Sequence, residues 1–129
     1  AIYGRETPNN TSQDVQLLFQ KLSEFKVEMH IYEPFYKFIK KKIQIHGSVK
    51  TFNSHQEIVS PKVDYMLSLG GDGTFLSTLS FIRNSGIPVL GINTGTLGFL
   101  ANVAQAEIAK AIEAIVYKKL TIEKRALIK

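Results

Sequence analysis

The chain reads as an α/β domain built on a doubly wound, mostly parallel sheet. Apolar runs of strand length alternate with segments of helical periodicity, and two of those runs end abruptly in glycine-rich loops, Gly70-Gly71-Asp72-Gly73-Thr74 and the stretch from Asn93 to Leu100. Such alternation calls for crossover helices between parallel strands, and it places ligands outside the strands' carboxyl ends. The 129 residues, 44% of them hydrophobic, are enough for one core without covalent staples.

The opening Ala1-Ile2-Tyr3-Gly4 has the character of a buried strand end, and residues 5–10 that follow are rich in turn formers. Thr11 or Ser12 is placed to cap a helix in which Val15, Leu18, Leu22 and Phe25 form one apolar stripe. A second strand is expected over Val27 to Ile31, and Pro34 at a first helical position opens a segment with Phe35, Phe38 and Ile39 on one face. Between Gln44 and Lys62 the pattern thins to a short strand at Val49 to Phe52 and a helical turn at Gln56 to Val59.

Signals sharpen again at Val63 to Leu69, a mostly apolar strand that runs straight into the first glycine loop. Phe75, Leu76, Leu79 and Ile82 then recur at helical spacing, with Asn84-Ser85-Gly86 as the stop. Pro88 to Ile92 forms the next strand and feeds the second loop. A last helix is expected from Ala104 to Lys118, with Ile108, Ile112, Ile115 and Val116 on one face, and Leu120 to Lys129 reads as a strand. There is no internal repeat.

Composition bounds the function. Sixteen Lys plus Arg against eleven Asp plus Glu give a net charge of +5, which favours anionic ligands. No basic-aromatic sheet pattern points to nucleic acid. The absence of cysteine excludes disulfides and fits a reducing cytoplasm, the expected location. Neither a signal-like leader nor an apolar stretch of membrane-spanning length is present, so a soluble protein without a membrane partner is expected.

The chemistry concentrates at Gly70 to Thr74. Three glycines in four positions let the backbone turn sharply and approach a ligand closely, while the amides of the turn and of the following helix suit phosphate. A carboxylate is out of place in a phosphate cradle unless it binds a metal, takes a proton from an attacking hydroxyl or holds a ribose, and Asp72 is open to all three. The structural alternative is a tight turn with Asp72 serving only as the acidic residue of a helix first turn. No Gly-Lys pair occurs, which excludes the P-loop, and Leu76 stands where the dinucleotide fingerprint needs its third glycine.

Gly70-Gly71-Asp72-Gly73-Thr74 resembles the turn shared by NAD kinases, diacylglycerol and sphingosine kinases, with a relative in phosphofructokinases. The second loop, Asn93-Thr94-Gly95-Thr96-Leu97-Gly98-Phe99-Leu100, resembles the NAD kinase segment, and lipid kinases carry a different motif there. The Tyr3-Gly4-Arg5 start and the Thr121-Ile122-Glu123-Lys124-Arg125 stretch are also similar to that family. The resemblance implies a Rossmann-like, phosphofructokinase-like N-terminal domain over residues 1–120, with residues 121–129 beginning a C-terminal β domain that is otherwise absent.

It further implies phosphoryl transfer from ATP or polyphosphate to the 2′-hydroxyl of the adenosine ribose of NAD, giving NADP, with a divalent metal, Mg²⁺, as cofactor. By resemblance Asp72 is the catalytic carboxylate. Gly70, Gly71, Gly73 and Thr74 surround the nucleotide phosphates, and Asn93, Leu97, Gly98 and Phe99 lie near the adenosine half of NAD. Arg5, on the first loop at the same edge of the sheet, is a further hydrogen-bond donor to phosphate; no metal ligand is assigned. The family's Asn-acid pair lies in the missing domain, so weak or no activity is expected of the chain alone. A homo-oligomer is expected, with apolar surface bared near Leu120 to Ile128. A lipid or sugar kinase relative and a nucleotide-binding module without chemistry are the competing functions.

Other features have ordinary readings. Lys37 and Lys40-Lys41-Lys42 form a solvated helix end; His30, His46 and His55 are scattered and suggest no zinc site. Asp14 and Asp64 serve a helix first turn and a strand start, and Phe25, Phe35, Phe38 and Phe81 are core or near-core residues.

Overall fold

The computed structural model describes residues 1–6, 13–60, 62–93 and 108–116. The expected cap at Thr11 or Ser12, the loop after Asn93 and the strand from Leu120 lie outside the described residues. In chain order the elements are β1 (Ile2–Gly4), α1 (Gln13–Glu24), β2 (Met29–Tyr32), α2 (Glu33–Ile39), β3 (Val49–Phe52), α3 (His55–Val59), β4 (Met66–Gly70), α4 (Asp72–Ile82), β5 (Val89–Asn93) and α5 (Ile108–Val116).

The five strands form one sheet in the order β3-β2-β1-β4-β5, and every pairing is parallel. The chain therefore winds outward from β1 through β2 to β3, then returns to the other side of β1 and winds outward through β4 to β5. That reversal between β1 and β4 is the switch point of a doubly wound sheet, where adjacent connections leave in opposite directions and open a crevice.

Alternation along the strands assigns side chains to two cores. Ile2, Met29, Ile31, Leu67, Leu69, Leu90 and Ile92 face a layer made by Val15, Leu18, Phe19 and Leu22 of α1, Phe35 and Ile39 of α2 and Ile112 of α5. On the opposite face Tyr3, Phe52, Met66 and Val89 meet Ile58 of α3 with Phe75 and Ile82 of α4. Burial on both faces is why β4 and β5 read as near-continuous apolar runs. Tyr3 also stacks at 4.8 Å on Tyr32 and 5.3 Å on Phe81, tying β1, β2 and α4 through aromatic contacts.

Several boundaries depart from expectation for identifiable reasons. Val27 is not in β2: its amide donates to the Leu22 carbonyl at 3.2 Å while that of Lys26 donates to Ser23 at 3.0 Å. This is a Schellman closure of α1, with Lys26 in the left-handed position at φ 56°. Val63 is likewise withheld from β4, because its amide donates to the Ile58 carbonyl at the end of α3. Leu76, placed in the apolar stripe of α4 by spacing, is 51% exposed. The helix ends at Arg83, which takes a positive φ of 51°, ahead of the Asn84-Ser85-Gly86 stop. Phe19, outside the expected stripe of α1, is fully buried.

Candidate functional site

Register brings three strand ends together. Gly4 pairs with Leu69 and Gly70 pairs with Asn93, so β1, β4 and β5 finish side by side with β4 between the other two. Arg5 leaves β1 on one side of the Gly70–Thr74 turn, and Asn93 closes β5 on the other. Of the residues assigned to the ligand from sequence, Arg5, Gly70, Gly71, Asp72, Gly73, Thr74 and Asn93 are thereby gathered at one edge of the sheet. Leu97, Gly98 and Phe99 lie outside the described residues.

Within the turn each residue has a distinct task. Gly70 takes φ +153°, and a Cβ there would lie 2.5 Å from Thr74 Oγ1. Only a residue without a side chain fits under Thr74. Gly71 is the N-cap of α4 with extended backbone, φ −107° and ψ −158°, and no side chain caps the helix. The first-turn amides of α4 thus meet the crevice at the positive end of the helix dipole. Asp72 is the first residue of α4 and is half-buried.

Thr74 is 7% exposed, with its side chain turned back on Gly70. What it presents at the crevice is backbone. One turn further, Thr78 Oγ1 lies 2.8 Å from the Thr74 carbonyl and 2.9 Å from Ser68 Oγ, all of it buried. Thr78 donating to the carbonyl and Ser68 donating to Thr78 satisfies this chain with one proton on each hydroxyl, pinning the first turn of α4 to β4. Gly91 stands opposite Ser68 in register.

Arg5 crosses the switch point. Its Nη2 donates to Ser77 Oγ at 2.8 Å and to the Gly73 carbonyl at 3.4 Å. The position of a Cβ on Gly73 is 3.7 and 4.0 Å from the two terminal nitrogens of Arg5, so the guanidinium lies against the first turn of α4. Ser77, Thr78 and Ser68 were not foreseen from sequence. Ser77 and Thr78 do follow Gly73 and Thr74 by four residues, the spacing that stacks side chains one turn apart.

Elsewhere, His30 Nε2 meets Glu28 Oε1 at 2.9 Å, and Lys50 Nζ meets the same oxygen at 3.2 Å. Lys50 first, then His30, hold the Glu28 carboxyl below its ordinary pKa. His55 hydrogen-bonds through Nδ1 to the Phe81 carbonyl. Among the described residues no group of three or more His, Cys, Asp or Glu is arranged to hold a metal ion, and no helix is long and apolar enough to cross a membrane.

Fold and turn together define a doubly wound α/β domain whose glycine-rich strand-to-helix turn sits at the switch point. Residues 6–120 match the model of the ATP-NAD kinase N-terminal domain family. The chain belongs to that family. It is 38% identical over 128 residues to an NAD kinase of Flavobacterium psychrophilum and 35% identical over 127 residues to one of Christiangramia forsetii. Each alignment takes in nearly all of this chain but 43% of the relative, so the chain spans less than half the length of these kinases. Among solved structures, yeast NADH kinase complexed with NADH shares the fold, with a TM-score of 0.71 and 24% identity over 92% of this chain and 38% of that one.

Proposed function

We propose that this chain is the nucleotide-binding part of an NAD kinase, which transfers a phosphoryl group from ATP or polyphosphate to the 2′-hydroxyl of the adenosine ribose of NAD and yields NADP. The observation that carries this reading is the convergence of Arg5, the Gly70–Thr74 turn and Asn93 at the switch point, in a chain of the ATP-NAD kinase family.

Phosphoryl transfer needs positioning and charge stabilisation more than covalent chemistry. Asp72 sits at the mouth of the crevice as the carboxylate that orients the ribose hydroxyl and takes its proton as the oxygen–phosphorus bond forms and ADP leaves with its bridging oxygen. The amides of Gly71, Gly73 and Thr74 bind phosphate oxygens at the start of α4, with Gly70 shaping the turn. Arg5 adds a fixed positive charge. Asn93, with Leu97, Gly98 and Phe99, holds the adenosine of NAD. Magnesium keeps several waters and binds largely through substrate phosphates, so the phosphates seated on the turn would hold it and the turn assigns it no ligand of its own. The metal supplies neutralisation of the phosphate charge.

The C-terminal β domain beginning at residue 121 completes the NAD site in this reading. The chain alone then has weak activity or none, and the protein acts as a cytoplasmic homo-oligomer. The test is NADP formation by the full-length protein with ATP or polyphosphate, wild type against Asp72→Asn. Loss of a general base typically costs on the order of 10² to 10⁴ in rate. An Asp72→Asn protein that works at the wild-type rate overturns the mechanism, and a wild type that makes no NADP overturns the function.

A further inference from the structure

The guanidinium of Arg5 is held at the amino end of α4. A helix amino end carries partial positive charge, so cations are favoured at the carboxyl end and disfavoured here. Even so, Arg5 is drawn 68 residues along the chain onto the Gly73 carbonyl and 72 residues onto Ser77 Oγ. A Cβ on Gly73 would make ordinary contact with the guanidinium, at 3.7 Å and beyond. Ser77 is the one side chain in these two contacts; the other acceptor is backbone.

Sheet order then assigns Arg5 to a side. β1 flanks β4 on one side and β5 flanks it on the other. The turn carrying Asp72 thus stands between Arg5 and Asn93. Resting on the kinase reading above, we propose that Ser77 is a positioning residue which fixes Arg5 on the β1 side of Asp72, where the guanidinium binds the phosphates of the ATP donor and not NAD. NAD approaches Asp72 from the β5 side. A guanidinium already oriented by a hydroxyl binds phosphate without first giving up the freedom of a long side chain. Ser77 touches neither substrate and acts through Arg5.

The experiment is steady-state kinetics on the full-length protein with ATP and NAD varied separately. Ser77→Ala should raise the KM for ATP about three- to tenfold, the scale of one ordinary intramolecular hydrogen bond, with kcat and the KM for NAD unchanged. Ser77→Thr, which keeps the hydroxyl, should restore the wild-type KM. Arg5→Gln should raise the same KM at least as much, and adding Ser77→Ala to it should change nothing further. Equal effects on both KM values, failure of Ser77→Thr to rescue, or an additive double variant would overturn the assignment. Should Ser77→Ala not fold, Arg5→Gln and Ser77→Thr still decide it, because selective loss of ATP affinity in Arg5→Gln is required. Wild-type protein that makes no NADP defeats the kinase reading itself; an active wild type indifferent to Ser77→Ala and Arg5→Gln defeats only the present proposal.

Discussion

Gly70 and Thr74 touch across the strand-to-helix turn so closely that a Cβ on Gly70 would stand 2.5 Å from Thr74 Oγ1. The contact explains why the turn needs glycine before any ligand is considered. Thr74 is held inward by it, and the first turn of α4 opens its amides at the crevice.

Gly70→Ala should therefore be a folding defect first. Its positive φ of 153° adds backbone strain to the overlap with Thr74, and strain of this kind costs on the order of 1–3 kcal/mol. Denaturant unfolding of the variant should show a lowered midpoint, corresponding to a loss of unfolding free energy of about that size. A midpoint equal to wild type would show that the turn adapts freely.

Gly73 behaves in the opposite way. Among the described residues a Cβ there meets only the Arg5 guanidinium, at 3.7 Å and beyond, an ordinary contact. In the first turn of a helix Ala is better than Gly by up to about 1 kcal/mol, so Gly73→Ala should leave stability equal or slightly raised. On the proposed reading, phosphate comes close to the backbone at this exposed position. NADP formation should fall sharply in a protein that melts normally; normal activity would mean the phosphates pass elsewhere.

The buried hydroxyl pair offers a stability test away from the ligand. Thr78→Val keeps the shape of the side chain but leaves the buried Ser68 hydroxyl without its acceptor, while the Thr74 carbonyl keeps its helical amide donor. A loss of about 1–3 kcal/mol is expected, the usual cost of stranding buried polar groups. Ser68→Ala combined with Thr78→Val should cost less than the sum of the two single changes. Strict additivity in that cycle would deny the pairing.

At the far end of α1, Lys26 occupies a left-handed position that glycine fills without strain. Lys26→Gly should stabilise the protein by about 0.5–1 kcal/mol without altering activity. A drop in the unfolding midpoint would contradict the assigned closure.

Much of this architecture was legible because its signals are local. The stripe Val15, Leu18 and Leu22 and the run Met66 to Leu69 declare themselves through spacing alone, and both are buried as that spacing requires. Expectation failed where a tertiary partner reassigned a residue. Val27 and Val63 are apolar and β-branched, yet their amides close helices and do not join the sheet. Leu76 has the right phase for a core position but lies 51% exposed on the outer side of α4.

The candidate site divides along the same line. Local sequence determined the alternation of strands and helices, the two cores' raw material and the Gly70–Thr74 turn with Asp72 at its centre, because turn chemistry and side-chain periodicity are properties of neighbouring residues. Strand order was decided only in three dimensions. Parallel strands buried on both faces look alike in sequence, so nothing local says that β1 lies between β2 and β4 or that Arg5 reaches Ser77. Those pairings are set by how two helix layers bury their apolar faces on one sheet. They set Arg5 on one side of the glycine turn and Asn93 on the other.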